Sequence, residues 1–294
     1  MNYASPLRQF VEFLIHNNLK FSNDGILKYL MYMINNDATV DKITNFFNAL
    51  KFIISFLDLR IVISKPVLDI KRFALKVCGI AKIARKGFAS TEISELWNKF
   101  FERFNDMSKA QIRTFVLIVT LHSTFCRFDC ISNVKLHHLV FHEDYIKIII
   151  PFSKTDVNGH GDCVYIPNNG NSRNPHKLLC LYLNVMDFED ENFFLFPSLE
   201  WNSTKKCWLP KRLCLSYSAA YKSFKKLLTE LKIDNTHFSL HSMRIGAATD
   251  AYKNGVPLDV IDKQGRWKCS QSKFTYIKRS EEEQLQHLKI AASY

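Results

Sequence analysis

The sequence has no apolar run near the ~20 residues that a membrane-spanning helix needs. Its N-terminus also lacks the charged-then-apolar pattern of a secretory signal. It has no Cys-x-x-Cys pair and no Cys/His cluster at zinc-ligand spacing. Its eight cysteines, at 78, 126, 130, 163, 180, 207, 214 and 269, are therefore expected to be reduced thiols of an intracellular protein. Cys126 and Cys130, four apart on an expected helix, read as core packing. There is no Gly-rich phosphate loop and no acidic metal cluster, so neither a cofactor nor a metal is expected. Internal repeats and low-complexity stretches are lacking too. Acidic residues are in deficit: 28 Asp+Glu stand against 40 Lys+Arg, giving a net charge of +12. Such a balance favours a polyanionic partner, nucleic acid first. The excess is denser at the N-terminal end. Residues 1–86 hold 13 basic and 6 acidic side chains (+7), and the remaining 208 hold 27 and 22 (+5).

What is present divides the 294 residues in two. Apolar residues at helical spacing predict helices over Pro6 to Asn17, near Asp24 to Ile34, and from Thr39 through Leu57. Pro66 interrupts, and a fourth helix is expected from Val67 to Cys78. The basic stretch Lys82-Ile-Ala-Arg85-Lys86-Gly87 reads as a linker between domains that crosses an anion, with Lys82, Arg85 and Lys86 as candidate DNA contacts. Beyond it, helices are expected near Ser90 to Phe104 and Ser108 to Phe125. The β-branched runs Tyr145–Ile150 and Cys163–Ile166, joined by a turn-rich segment, combine with Leu139–Phe141 into a small antiparallel sheet. Helices resume at His176 to Met186, and Ser218 to Leu231 is amphipathic.

The chemistry gathers near the C-terminus. His241 and Arg244 sit three apart on one expected helix face. The small residues Gly246, Ala247 and Ala248 that follow allow close helix packing. Trp267 comes 23 residues after Arg244, in Gly265-Arg266-Trp267, and Tyr276 nine after that. A guanidinium and an imidazole can hold a phosphate and move its protons, and a phenol can attack it.

This ordered set resembles the C-terminal signature of the tyrosine recombinases, the phage integrase family. The resemblance implies a mainly α catalytic domain with a small antiparallel β-sheet over residues 87–294. For residues 1–86 it implies a helical core-binding, DNA-binding domain, the two closing as a C-shaped clamp on a duplex. It implies an upstream arginine after an apolar helix, which points to Arg127 in Cys126-Arg127-Phe128-Asp129, and a lysine between the second and third strands, which points to Lys154. Many relatives have His where Trp267 stands. An indole N–H can donate to a phosphate but exchanges no proton at neutral pH, so any base role passes to His241. The Trp and the Ser-Lys-Thr-Asp turn lean toward recombinases of eukaryotic mobile elements or large DNA viruses; the protein is expected to be intracellular, and nuclear if its host is eukaryotic.

The implied activity is site-specific recombination of double-stranded DNA through a 3′-phosphotyrosine on Tyr276, carried out by a homotetramer on paired sites assembled from solution monomers. The tail Ser280–Tyr294, with a short apolar stripe, is the expected subunit contact. A type IB topoisomerase has the same catalytic set and is the alternative enzyme. Two alternatives are without chemistry: a DNA-binding regulator, suggested by helix-turn-helix spacing at Ala251, Gly255 and Ile261, and a domesticated recombinase that binds without cutting.

Overall fold

The structure, a computed structural model, describes residues 3–77, 86–151, 162–267, 274, 276 and 277. Lys82, Arg85, Lys154 and the tail from Ser280 lie outside the described residues. The chain separates into two compact units, Met1–Ala84 and Arg85–Tyr294.

The first unit contains four helices: α1 (Ala4–His16), α2 (Asn23–Asn35), α3 (Val40–Phe56) and α4 (Lys65–Val77). The Ser22 and Thr39 side chains accept from the amides of Gly25 and Lys42, satisfying donors that a helix start leaves open. Pro66 falls in the first turn of α4, where a missing N–H costs nothing, so it opens a helix rather than ending one. One apolar stripe from each helix meets in an aromatic core in which Phe10, Tyr29 and Phe46 touch edge-on or tilted at 4.9–5.1 Å between centroids.

The second unit is built around α6 (Lys109–Thr124), preceded by α5 (Ser90–Arg103). Ser108 and Gln111 form a reciprocal cap at the start of α6, and eleven of its 16 residues are buried. A helix apolar on every side belongs inside a core. The chain then continues through the short α7 (Phe128–Ile131) into the antiparallel sheet β1 (Leu139–Phe141), β2 (Tyr145–Ile150) and β3 (Asp162–Pro167), in that spatial order. The register pairs Ile148 with Leu139 on one side and Val164 on the other, all buried. After α8 (Pro175–Met186) comes an antiparallel hairpin, β4 (Pro197–Asn202) and β5 (Cys207–Cys214), that the sequence reading did not anticipate. Its strands lack clear alternation and each contains a proline, which removes a ladder donor. The unit continues with α9 (Tyr217–Glu230), α10 (Leu240–Lys253) and α11 (Leu258–Gly265). The α10–α11 connection turns at Gly255, whose φ is +75°. No described helix is long and apolar enough to cross a membrane.

Two features bring α10 to its place. The amide of Phe88 donates to the carbonyl of Ser242 at 2.9 Å, laying the chain before α5 against the helix. At Gly246 a Cβ would fall 1.9 Å from the Phe88 carbonyl oxygen, so only glycine permits this approach. The sequence reading placed Cys126 and Cys130 on one helix. Instead, α6 ends at Thr124 and Phe125 takes the left-handed region at φ 55°, so the two buried thiols lie on either side of a helix start. The six described cysteines are free thiols.

Candidate active site

Arg244 is the largest fully buried side chain among the described residues, 1% exposed, on the second turn of α10. One Nη donates to the carbonyl of Phe125, and the other to the carbonyl of Gly265 at 2.8 Å. Both carbonyls come from chain reversals. Phe125 is left-handed after α6, and Arg266, the residue after Gly265, is left-handed after α11. Neither is a glycine, so each conformation costs on the order of 1 kcal/mol. The two strained turns aim carbonyls at one guanidinium and thereby fix the plane of its fork.

Aromatic faces wall the same group. The guanidinium carbon lies 4.0 Å from the Trp267 ring centroid and 5.0 Å from that of Tyr276. The Trp267 and Tyr276 centroids are 5.4 Å apart, and His241, one turn before Arg244, has its ring 5.3 Å from Tyr276. Trp267 lies flat on Gly265, where any Cβ would collide with the indole at 1.8 Å. The Thr249 hydroxyl on α10 shares its proton between the Ile245 carbonyl at 2.7 Å and the backbone carbonyl of Tyr276 at 3.2 Å, which brings the backbone behind the phenol against the helix.

Electrostatics give the site its character. Arg244 and Arg127 have no carboxylate partner among the described residues. Burial first, and then the neighbouring charge of Arg127, push the Arg244 guanidinium down to about 10. That displacement corresponds to on the order of 3 kcal/mol against the charged form, a penalty that an anion between the two arginines would remove. Arg127 caps the start of α7 and is partly exposed. Buried donors in this neighbourhood with no hydrogen-bond partner among the described residues include Nε of Arg244, the indole N–H of Trp267, and Nε and Nη1 of Arg266.

The structure thus brings together five of the six residues singled out from the sequence: Arg127, His241, Arg244, Trp267 and Tyr276. Lys154 falls outside the described residues, between the end of β2 at Ile150 and the start of β3 at Asp162. Of the linker cations only Lys86 is described. Its Nζ donates to Glu92 at 2.8 Å and stands 5.4 Å from the Phe238 ring centroid, so it is a partnered cation rather than a free one. Glu92 is partly buried, which opposes its charge, yet its bonds to Lys86 and Thr91 leave it below the usual carboxylate range.

Sequence reasoning missed several neighbours of the site. Arg266 stands inside the quoted Gly-Arg-Trp triplet but was assigned no role. Its side chain is 5% exposed, with Nε 3.8 Å from the Asp162 carboxylate. Burial opposes its charge, but the Cys126 and Cys130 sulfurs and Asp162 outweigh this and raise it above the ordinary arginine value. Gln264 carries no motif signal. Arg113 is a second buried guanidinium, donating to the carbonyl of Pro197 at 2.6 Å. It ties the opposite, N-terminal half of α6 to the β4–β5 hairpin.

The chain as a whole is similar to known proteins in family and in fold. Residues 91–283 match the phage integrase family. No curated protein sequence matches the chain. Among solved structures, the chain resembles the XerH site-specific recombinase bound to a palindromic difH substrate in a post-cleavage complex. That match has a TM-score of 0.69 at 16% identity and covers 99% of this chain and 78% of that one. It also resembles a lambda integrase dimer bound to a COC′ core site, with TM-score 0.60, 14% identity, and 96% and 89% coverage. The Tn1549 transposon integrase in complex with transposon right end DNA gives 0.61 at 12% identity, covering 99% and 94%. The family match spans well over half of the sequence, and the chain belongs to the phage integrase family.

Proposed function

We propose that the protein is a site-specific DNA recombinase that cuts and rejoins double-stranded DNA through a covalent bond to Tyr276. The observation that carries this reading is the buried Arg244 guanidinium. It lacks a carboxylate counter-ion among the described residues and lies beside both Trp267 and the phenol ring of Tyr276, 4.0 and 5.0 Å from their ring centroids. A charge held in this way suits an anion supplied from outside, and a backbone phosphate is the anion that a phenol can attack.

In this reading Arg127 and Arg244 hold the non-bridging oxygens, where charge builds up in the transition state. The Trp267 N–H donates to one of them. His241 takes the Tyr276 proton as the Oη–P bond forms. The bond from phosphorus to the 5′-oxygen breaks, and that oxygen receives its proton from Lys154. The 5′-hydroxyl of a second strand then reverses these steps. The bond energy stays in the phosphotyrosine, so the exchange consumes no nucleotide. The basic four-helix unit, residues 1–86, serves as the DNA-gripping domain. Four copies act on two duplexes, joined through the tail from Ser280.

A duplex nicked beside the cleaved phosphate, so that the short released strand diffuses away, traps the covalent adduct. The native protein is expected to give a protein–DNA species that survives denaturation. Tyr276→Phe is expected to bind the same duplex nearly as well and to give none. An adduct that persists in the variant would assign the attack to another residue.

A further inference from the structure

The β4–β5 hairpin stands apart from the layers around it. Its two strands pair only with each other, as a sheet of their own. Its root is held by polar bonds on several sides. The buried guanidinium of Arg113 holds the Pro197 carbonyl, the Ser198 hydroxyl donates to the carbonyl of Cys214 at 3.0 Å, and the amide of Leu215 donates to that of Phe196 at 3.1 Å. Beyond the root the ribbon has little cover. Leu199 pairs with Pro210 and Trp201 with Trp208, so these four side chains share one face. Leu199 still packs on the core, but two positions further out Trp201 is 53% exposed, its ring centroid 5.6 Å from that of Trp208.

The ribbon also carries an excess of positive charge. Residues 197–214 hold four cations, Lys205, Lys206, Lys211 and Arg212, against one carboxylate, Glu200, a balance of +3. Lys211 is paired with Glu200 at 3.0 Å, and Arg212 with Asp190 outside the ribbon. Lys205 and Lys206, at the tip, have no carboxylate partner among the described residues. The turn that presents them is braced: the Asn202 side chain accepts from the amide of Lys205 at 2.8 Å, and Lys206 is left-handed at φ 49°. The second strand leads through Leu215 and Ser216 into α9, where the Tyr217 ring lies 5.6 Å from that of Phe128, the neighbour of Arg127. The ribbon therefore leaves the body of the unit close to the arginine turn. A strand of this length spans about 20 Å, or about six base pairs of duplex.

We infer that the β4–β5 ribbon is a DNA-contacting arm. It lies in the major groove beside the cleaved phosphate, with Lys205 and Lys206 on backbone phosphates and the Trp201–Trp208 face against the groove wall. The inference rests on the reading of duplex DNA as the substrate. The major groove admits a two-stranded ribbon. Cations without an internal partner suit phosphates, which hold a protein on any sequence. A half-exposed tryptophan face gains by losing water when a groove wall covers it.

The test uses the full chain and a long mixed-sequence duplex. Lys205→Gln/Lys206→Asn removes both charges and keeps the turn, because asparagine accepts the left-handed region. Titrations over a range of salt are expected to show the slope of log K against log salt flattened by about 1.8, at about 0.9 per phosphate contact. If the double variant folds poorly, Lys205→Gln alone is expected to flatten it by about 0.9. The second readout is Trp201. The emission lost in Trp201→Phe reports that ring, and its quenching by acrylamide is expected to fall when the duplex is added.

A native slope in the charge variants, or a Trp201 as open to acrylamide with DNA as without it, overturns the arm. Shielding of Trp201 that grows with protein concentration in the absence of DNA gives the face to a second copy and overturns it too. Failure of the native protein to bind the duplex at low salt overturns the reading of the substrate, and the arm with it.

Discussion

At the scale of single residues, Trp267 separates packing from chemistry most sharply. Its six-membered ring fills the space over Gly265, and its indole N–H is buried without a partner among the described residues. A buried donor left open costs on the order of 1–3 kcal/mol, which is reasonable only if a ligand completes it. Trp267→Phe and Trp267→His both shrink the ring and both leave space above Gly265, so both are expected to lower the unfolding midpoint. Only His keeps an N–H in this place. The rate of adduct formation is therefore expected to fall by roughly 10²-fold for Phe, the size of one lost transition-state donor, and by clearly less for His. Equal losses in the two variants would reduce Trp267 to a wall for Arg244.

Among the elements, α10 carries most of the site, and its position depends on a residue with no functional group. Gly246 lets the helix backbone reach the Phe88 carbonyl, and a methyl there would meet backbone atoms at 1.9 and 2.3 Å. Backbone cannot rotate away as a side chain would. Gly246→Ala is expected to destabilise the second unit by about 1–3 kcal/mol or more, seen as a lower urea midpoint. It should also slow adduct formation, because the shift is passed along the helix to Arg244, two residues away, and His241, five residues away. Gly255→Ala makes a useful contrast, because nothing lies within 4 Å of a Cβ there and the strain is only that of φ +75°. A Gly246→Ala variant no less stable than native would mean that α10 tolerates a wider gap than its contacts imply.

For the whole molecule, charge decides the encounter with DNA. A net +12 predicts affinity that falls steeply with salt, as counter-ions held by the phosphates are released. The sequence nominates Lys82, Arg85 and Lys86 together, but Lys86 is already paired with Glu92. The double variant Lys82→Ala/Arg85→Ala is therefore expected to flatten the slope of log K against log salt by about 2, near 0.9 per phosphate contact. Adding Lys86→Ala should change it little further. Binding titrations from low to moderate salt measure this, and a slope unchanged in the double variant would remove the stretch from the DNA contacts.

Much of this protein is determined locally and can be read without coordinates. Helical periodicity marks α1, α3, α6 and α9 because each buries one stripe or the whole of its surface, and β-branched runs mark β2 and β3 because their pleats alternate into one core. The order of chemical types, Arg127 to Tyr276, is legible through the resemblance to the family, and the proposed phosphoryl transfer would use those groups. The β4–β5 hairpin is not legible: its strands are half-exposed, and nothing in their spacing distinguishes them from a loop. Nor can local pattern show that Lys86 has a carboxylate partner, that Arg266 meets Asp162, or that the amide of Gln264 completes the edge of a strand 99 residues earlier. Those are contacts between segments far apart in sequence, and only the packing of α10 and α11 against α6 and β3 decides them. The sequence by itself determined which chemical groups are available and on which elements they ride. The tertiary structure decided which charges are left without a partner, and that depends on distances the chain acquires only when it folds.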